Sequence, residues 1–178
     1  MVMETEHLII RDSVLEDTDV FYEWELIPEV NKFFSIADNQ SKEDVVRKYI
    51  LDSESESSRQ YTICLKEDER PIGRIVLGDL IEGWKVEIWR IYIGDLSMRR
   101  KGYGEEAMRA IMNLCFNTFG IQRLYLDHYT GNPASNLYLK LGFQYEGVLR
   151  QNCRKNGILY DVHLMSILRD EYFSSLQQ

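Results

Sequence analysis

Arg99-Arg100-Lys101-Gly102-Tyr103-Gly104, run directly into Glu105 to Phe119, is the stretch whose reading decides the fold. In its second half Ala107, Ile111, Cys115 and Phe119 recur at every fourth position, with Met108, Met112 and Phe116 in the adjoining row. Residues spaced this way share one face of an α-helix, so the segment predicts an amphipathic helix that stops at Gly120. The residues in front of it bear on ligand chemistry. A helix start carries unpaired amides and the positive end of the dipole, and glycines there allow positive φ and close approach of a ligand to the backbone. With Arg99, Arg100 and Lys101 beside them, Gly102 and Gly104 predict a site for a pyrophosphate; the bland alternative is a helix entry with a solvated basic face.

Outward from this helix the periods change. Upstream, His7 to Arg11 reads as a strand, and a helix-like stretch through Val20, Phe21 and Trp24 stops near Pro28. Ser41 to Asp44 has the form of a capping box ahead of Val45, Val46, Tyr49 and Ile50, which gives two helices before the sheet. Asp52 to Ser58 reads as a mobile acidic loop. Tyr61–Leu65, Ile72–Leu77 and a run from Trp84 to Ile93 predict an antiparallel meander, with breaks at residues 67–71 and 78–83. Downstream come a strand over Arg123 to Tyr129, a short helix over Ala134 to Leu141, and strands Phe143–Leu149 and Ile158–Leu168 around an Asn156-Gly157 turn. The order predicts an α/β (α+β) fold with a mixed, mostly antiparallel sheet, residues 1–178 forming one domain.

Composition narrows the function classes. A chain of 178 residues with 44% hydrophobic and 28% charged residues is of globular type, and no apolar run nears the ~20 residues of a membrane span. The first seven residues lack the basic and apolar regions of a secretory signal, and Cys64, Cys115 and Cys153 form no C-x-x-C pair, so a cytoplasmic location is expected. Three scattered histidines support no metal site. A net charge of −8 opposes a nucleic-acid partner and suits a cationic substrate.

A dinucleotide-dependent oxidoreductase is the rival reading, because Gly102-x-Gly104-x-x-Ala107 fits the dinucleotide fingerprint and Asp127 lies at a suitable distance. That fingerprint needs its glycines directly after a strand, whereas Asp95 to Lys101 intervene here. The residues instead resemble the GNAT superfamily of N-acetyltransferases, whose cofactor motif Q/R-x-x-G-x-G/A stands here as Arg99-x-x-Gly102-x-Gly104. Asn132-Pro-Ala-Ser135-Asn-Leu-Tyr138-Leu-Lys140-Leu-Gly142-Phe143 is similar to the second block of the family. Glu146 to Arg150 and Asp161 to Leu168 resemble the branch of ribosomal-protein N-terminal and spermidine acetyltransferases.

The resemblance implies acetyl-CoA as co-substrate, held by Arg99, Arg100, Lys101, Gly102, Tyr103 and Gly104, with Ser135, Lys140 and either Asn132 or Asn136 along the pantetheine arm. It implies neighbouring strands that splay around the thioester, whose carbonyl meets amides near Tyr92 and Ile93, and a homodimer. It also implies an acceptor amine, either a small polyamine or a protein N-terminus, and leaves open a non-catalytic acyl-CoA sensor. Tyr138 resembles the tyrosine that protonates the leaving sulfur. An amine of pKa near 10.4 is neutral in only about one part in ~2,500 at pH 7, a handicap of ~4.6 kcal/mol, so a base is useful. Glu87, expected to share a strand face with Trp89 and Ile91, is the candidate; Asp127 and His128 are alternatives. Glu23, Glu25 and Glu29 fit either a cationic amine or a solvated helix face.

Overall fold

The computed structural model describes residues 1–177. Eight strands form one open sheet: β1 (Val2–Glu4), β2 (Leu8–Asp12), β3 (Arg59–Leu65), β4 (Pro71–Ile81), β5 (Lys85–Ile93), β6 (Arg123–Tyr129), β7 (Gln144–Lys155) and β8 (Ile158–Leu168). Their order is β1-β2-β3-β4-β5-β6-β8-β7, antiparallel except for β5 beside β6. A helix must carry the chain across between two parallel neighbours. That crossover is α4 (Tyr103–Asn113), continued by a π turn over Leu114–Thr118. Every member of its two predicted apolar rows is buried in the main core. The wider final turn leaves carbonyls that Arg169 takes up, bonding Phe116 O at 2.5 Å.

Three helices, not two, precede the central strands: α1 (Asp17–Glu25), α2 (Pro28–Asn31) and α3 (Lys42–Glu54). Pro28, read as a stop, is also a start, because proline suits the first helical position where no amide partner is needed. The capping box at Ser41 and Asp44 is present. The acidic loop is largely overturned: Asp52 to Glu54 complete α3, Asp52 is buried against Lys48, and Ser58 is buried and donates to Leu77 O at 3.1 Å. Two further helices, α5 (Ser135–Lys140) and α6 (Arg169–Ser175), complete the fold. The hairpin turn at Asn156 and Gly157 adopts φ of 50° and 80°, the two positive values that an Asn-Gly pair of this kind favours.

The predicted break at Gly78 does not occur, since β4 runs on to Ile81. Gly78 is small for another reason: a Cβ there would lie 1.9 Å from the ring of Trp89. Opposite the neighbouring Val76–Leu77 step β5 bulges, for Leu77 faces Ile88 and Val76 faces Arg90, which leaves Trp89 unpaired. One extra residue reverses the alternation of side chains. Val86, Ile88, Ile91 and Ile93 therefore pack on the α4 face, while Tyr92 packs among α1 to α3. The expectation that Glu87 shares a face with both Trp89 and Ile91 is corrected: Trp89 Nε1 reaches Glu87 at 3.3 Å, but Ile91 faces away.

The helical layer is fastened to the sheet by one carboxylate. Glu25, 1% exposed, accepts from Arg74 at 2.9 Å, Arg90 at 3.2 Å and Tyr92 Oη at 2.9 Å through one oxygen, and from Gln40 at 2.8 Å through the other. Arg74, also 1% exposed, bonds Gln60 at 2.6 Å and lies over the ring of Phe21. Despite the opposing effect of burial, Arg90 and Arg74 hold the Glu25 carboxyl below its usual range. Its expected role toward a cationic amine is thereby corrected, for its oxygens are fully engaged by protein donors. Deleting it strands two guanidinium groups. Glu25→Ala is expected to lose about 3–5 kcal/mol of unfolding free energy, read from urea denaturation.

Candidate active site

Strands β5 and β6 are hydrogen-bonded partners at only three positions, Lys85 with Arg123, Val86 with Leu124 and Glu87 with Tyr125. Beyond them the strands part, and a cleft of about 790 Å³ opens between Ile88–Ile93 and Leu126–Tyr129. The edge of β5 facing that gap keeps unpaired backbone groups. Gly94 N–H donates to Ile72 O at 2.8 Å, so by the two-residue alternation of an antiparallel ladder Ile93 turns its amide and carbonyl away from β4. Arg99 Nε takes that carbonyl at 2.9 Å, and the Ile93 amide has no partner among the described residues. An extended chain with amides of its own would satisfy such an edge.

At the outer end of the gap stands the start of α4. Gly102, the residue before the helix, has φ 89°, a value a Cβ would strain, and no side chain caps the helix. The first helical bond is Glu106 N–H to Gly102 O at 3.0 Å, so among the described residues the amides of Tyr103, Gly104 and Glu105 are free. Gly104 has no positive φ, contrary to expectation, but a Cβ on it would meet nothing within 4 Å, so its bareness leaves room for a ligand. These three open donors, the parted strands and adjoining cations fit a pyrophosphate joined to an amide-bearing arm.

Of the expected cofactor residues, Tyr92, Ile93, Arg99, Arg100, Gly104 and Asn132 line the cleft. Tyr92 does so from deep burial, its hydroxyl committed to Glu25. Arg99 also bonds Glu29 O at 3.1 Å, and burial lowers its pKa. Asn132 Oδ1 accepts from Ala134 N–H, opening α5, whereas Asn136 is outside the cleft. Gly102, Ser135, Lys101, Tyr103 and Lys140 are not on its lining. Lys101 is exposed beside Met98, Tyr103 packs toward the core near His7, and Lys140 is paired with Glu105 at 2.6 Å.

Tyr138 and Glu87 both line the gap. Burial, with the Asp127 charge adding to it, pushes the Tyr138 phenol up to about 12, and its hydroxyl bonds no protein group among the described residues. Burial, and secondly Asp127, pushes Glu87 up to about 7, partly offset by its bond from Trp89. Asp127 is likewise raised by burial. His128 belongs to the structure instead, bonding Tyr129 O through Nδ1 and stacking on His163 at 5.2 Å. The inner wall comes from residues that the sequence did not single out: Phe33, Phe34 and Ser35 after α2, Lys48 on α3 and Cys153 on β7. Nothing in their spacing signals it, because they meet only through the fold.

The acetyltransferase (GNAT) domain family matches residues 7–144. An uncharacterized N-acetyltransferase of Bacillus licheniformis is 30% identical over 94% of this chain and 96% of its own. Another, from Bacillus subtilis strain 168, is 26% identical over 94% and 97%. Spermidine N-acetyltransferase of Vibrio cholerae, solved with CoA and spermine, shares the fold with a TM-score of 0.84 at 20% identity, covering 95% of this chain and 99% of that one. An acetyltransferase of Salmonella typhimurium that modifies the N-terminal serine of a 50S ribosomal subunit protein gives 0.79 at 18% identity, covering 94% and 99%. The helix start offers a clean test. Gly104→Ala should leave the melting temperature unchanged or slightly higher yet weaken acetyl-CoA binding at least about tenfold by calorimetry, whereas Gly102→Ala should cost about 1 kcal/mol of stability.

Proposed function

The chain belongs to the GNAT acetyltransferase family and is an N-acetyltransferase that uses acetyl-CoA, and on that footing we propose that it acetylates a cationic primary amine, with Glu87 as base and Tyr138 as acid. The observation that carries this reading is the parting of β5 and β6 directly after Glu87 and Tyr125, between the open amides of α4 and the Tyr138 hydroxyl. Acetyl-CoA supplies the activated acyl group. The amides of Tyr103, Gly104 and Glu105, with Arg100, would hold its diphosphate, and the Ile93 amide is free to bond the thioester oxygen as negative charge gathers there.

Glu87 and Asp127 face the gap with no cationic side chain paired to either among the described residues, which favours an ammonium group entering there. Near pH 7 Glu87 is part ionised, so it can take a proton from the amine that becomes the nucleophile. Burial, which raises the Tyr138 phenol to about 12, keeps it protonated near neutral pH, so it can give its proton to the departing thiolate. The neighbour from Vibrio cholerae was solved with spermine, in keeping with an acceptor of more than one positive charge. Three free cysteines suit a reducing cytoplasm, and the exposed apolar side chains of the β7–β8 hairpin suit a homodimer.

The test is released thiol across polyamines, amino-acid analogues and N-terminal peptides; an enzyme that binds acetyl-CoA but transfers to no amine would defeat the proposal. Because the base must be ionised, kcat/KM should rise with pH through an inflection near 7 set by Glu87. Glu87→Gln should flatten that acid limb and lower kcat/KM about 10²-fold or more, and an unshifted profile would remove Glu87 from the role. Tyr138→Phe should keep acetyl-CoA affinity while lowering kcat to a similar extent. Transfer at the undiminished rate would exclude it as the acid.

A further inference from the structure

Much of the inner wall of the cleft is the segment 31–38, which carries Phe33, Phe34 and Ser35 and has little regular structure of its own. Ser35 Oγ meets Tyr129 Oη at 2.7 Å, and Phe34 stands edge-on to Tyr92. What secures both ends of the segment is a single buried ammonium from the far end of the β7–β8 hairpin. Lys155 Nζ donates to Asn31 O at 2.6 Å and Asn31 Oδ1 at 2.8 Å, and lies 3.2 Å from Asp38 Oδ1. Its neighbour Asn156 accepts from Asp38 N–H through Oδ1 at 3.3 Å.

Lysine is rarely hidden, and here only 9% of the residue is exposed. An ammonium has three N–H donors, and the site offers three oxygens. Asn31, 3% exposed, passes the restraint on, since its Nδ2 donates to Glu25 O at 2.9 Å beside the buried charge network. We propose that Lys155 is a positioning residue for the acceptor: it sets the wall 31–38 at the distance from Glu87 and Tyr129 that the amine requires. The assignment rests on the acetyltransfer reading above and goes beyond it, because Lys155 is not on the lining of the cleft and lies 68 residues from Glu87 in sequence (155 − 87).

Cys153 lines the cleft together with this segment, while Cys64 and Cys115 are 1% and 0% exposed, so thiol labelling reports on the wall separately from the core. Lys155→Met keeps the stem and removes the ammonium; Lys155→Arg keeps donors and charge. In the intact protein, reaction of Cys153 with iodoacetamide is expected to quicken about tenfold in Lys155→Met, to stay near the parent rate in Lys155→Arg, and to leave Cys64 and Cys115 unchanged. With spermidine as acceptor, Lys155→Met should raise the KM for the amine about tenfold with the KM for acetyl-CoA unmoved. Equal Cys153 rates in parent and Lys155→Met, or acceleration of all three cysteines together, would overturn the proposal in favour of no restraint or of general loosening. If spermidine is not acetylated at all, the acceptor reading fails while the labelling comparison still decides the role of Lys155.

Discussion

Two parallel strands that pair for three residues and then separate impose the constraint from which the rest of this structure follows. A parallel pair deep in a sheet ordinarily keeps its ladder, because every buried amide or carbonyl left open costs free energy. Here β5 and β6 give up the ladder after Glu87 and Tyr125, and the fold supplies what makes the gap tolerable. The bulge at Trp89 bends one strand away, Arg99 caps one loose carbonyl, and the remaining edge is left for a substrate arm to complete. Catalytic candidates then come from the last paired residue, Glu87, and from the helix that follows β6, which carries Tyr138.

Charge is handled in two opposite ways on the two sides of that gap. Around Glu25 the protein buries a carboxylate with two guanidinium groups and a phenol, so the ion is held charged and the helices are fixed to the sheet. Around Glu87 and Asp127 no guanidinium group is paired among the described residues, and burial raises both carboxyls instead. The same residue type is held charged in one place and pushed toward its neutral form in the other because of what surrounds it. Arg99 shows a third arrangement, joining the end of β5 to α2 through Ile93 O and Glu29 O.

Much of this was legible in the sequence where the signal is local. The rows of α4, the positive-φ glycine before it, the Asn156-Gly157 turn and strand β6 depend on neighbours a few residues away, and periodicity reports such neighbours faithfully. The helix start was legible for the same reason, whereas Tyr138, which lines the cleft, was singled out only through the family resemblance. What escaped depends on distant partners. Glu25 looks no different from Glu23 or Glu29 along the chain, yet only Glu25 meets Arg74 and Arg90. The bulge at Trp89 is invisible without its partner strand, which is why the face of Ile91 was misjudged. Phe33, Phe34 and Cys153 share no spacing at all, being assembled by a loop and a hairpin 120 residues apart (153 − 33).

The unpaired Trp89 acts as a frameshift written into three dimensions. Ahead of it the even-numbered Val86 and Ile88 pack on the α4 face; behind it the odd-numbered Ile91 and Ile93 do, and Tyr92 turns to the helices α1 to α3. A chain one residue shorter at that point would keep its turns and its composition but could no longer aim both halves of the strand inward at once. Counting, as much as chemistry, therefore decides which side chains meet here, and the indole lying over Gly78 marks the place where the count is kept.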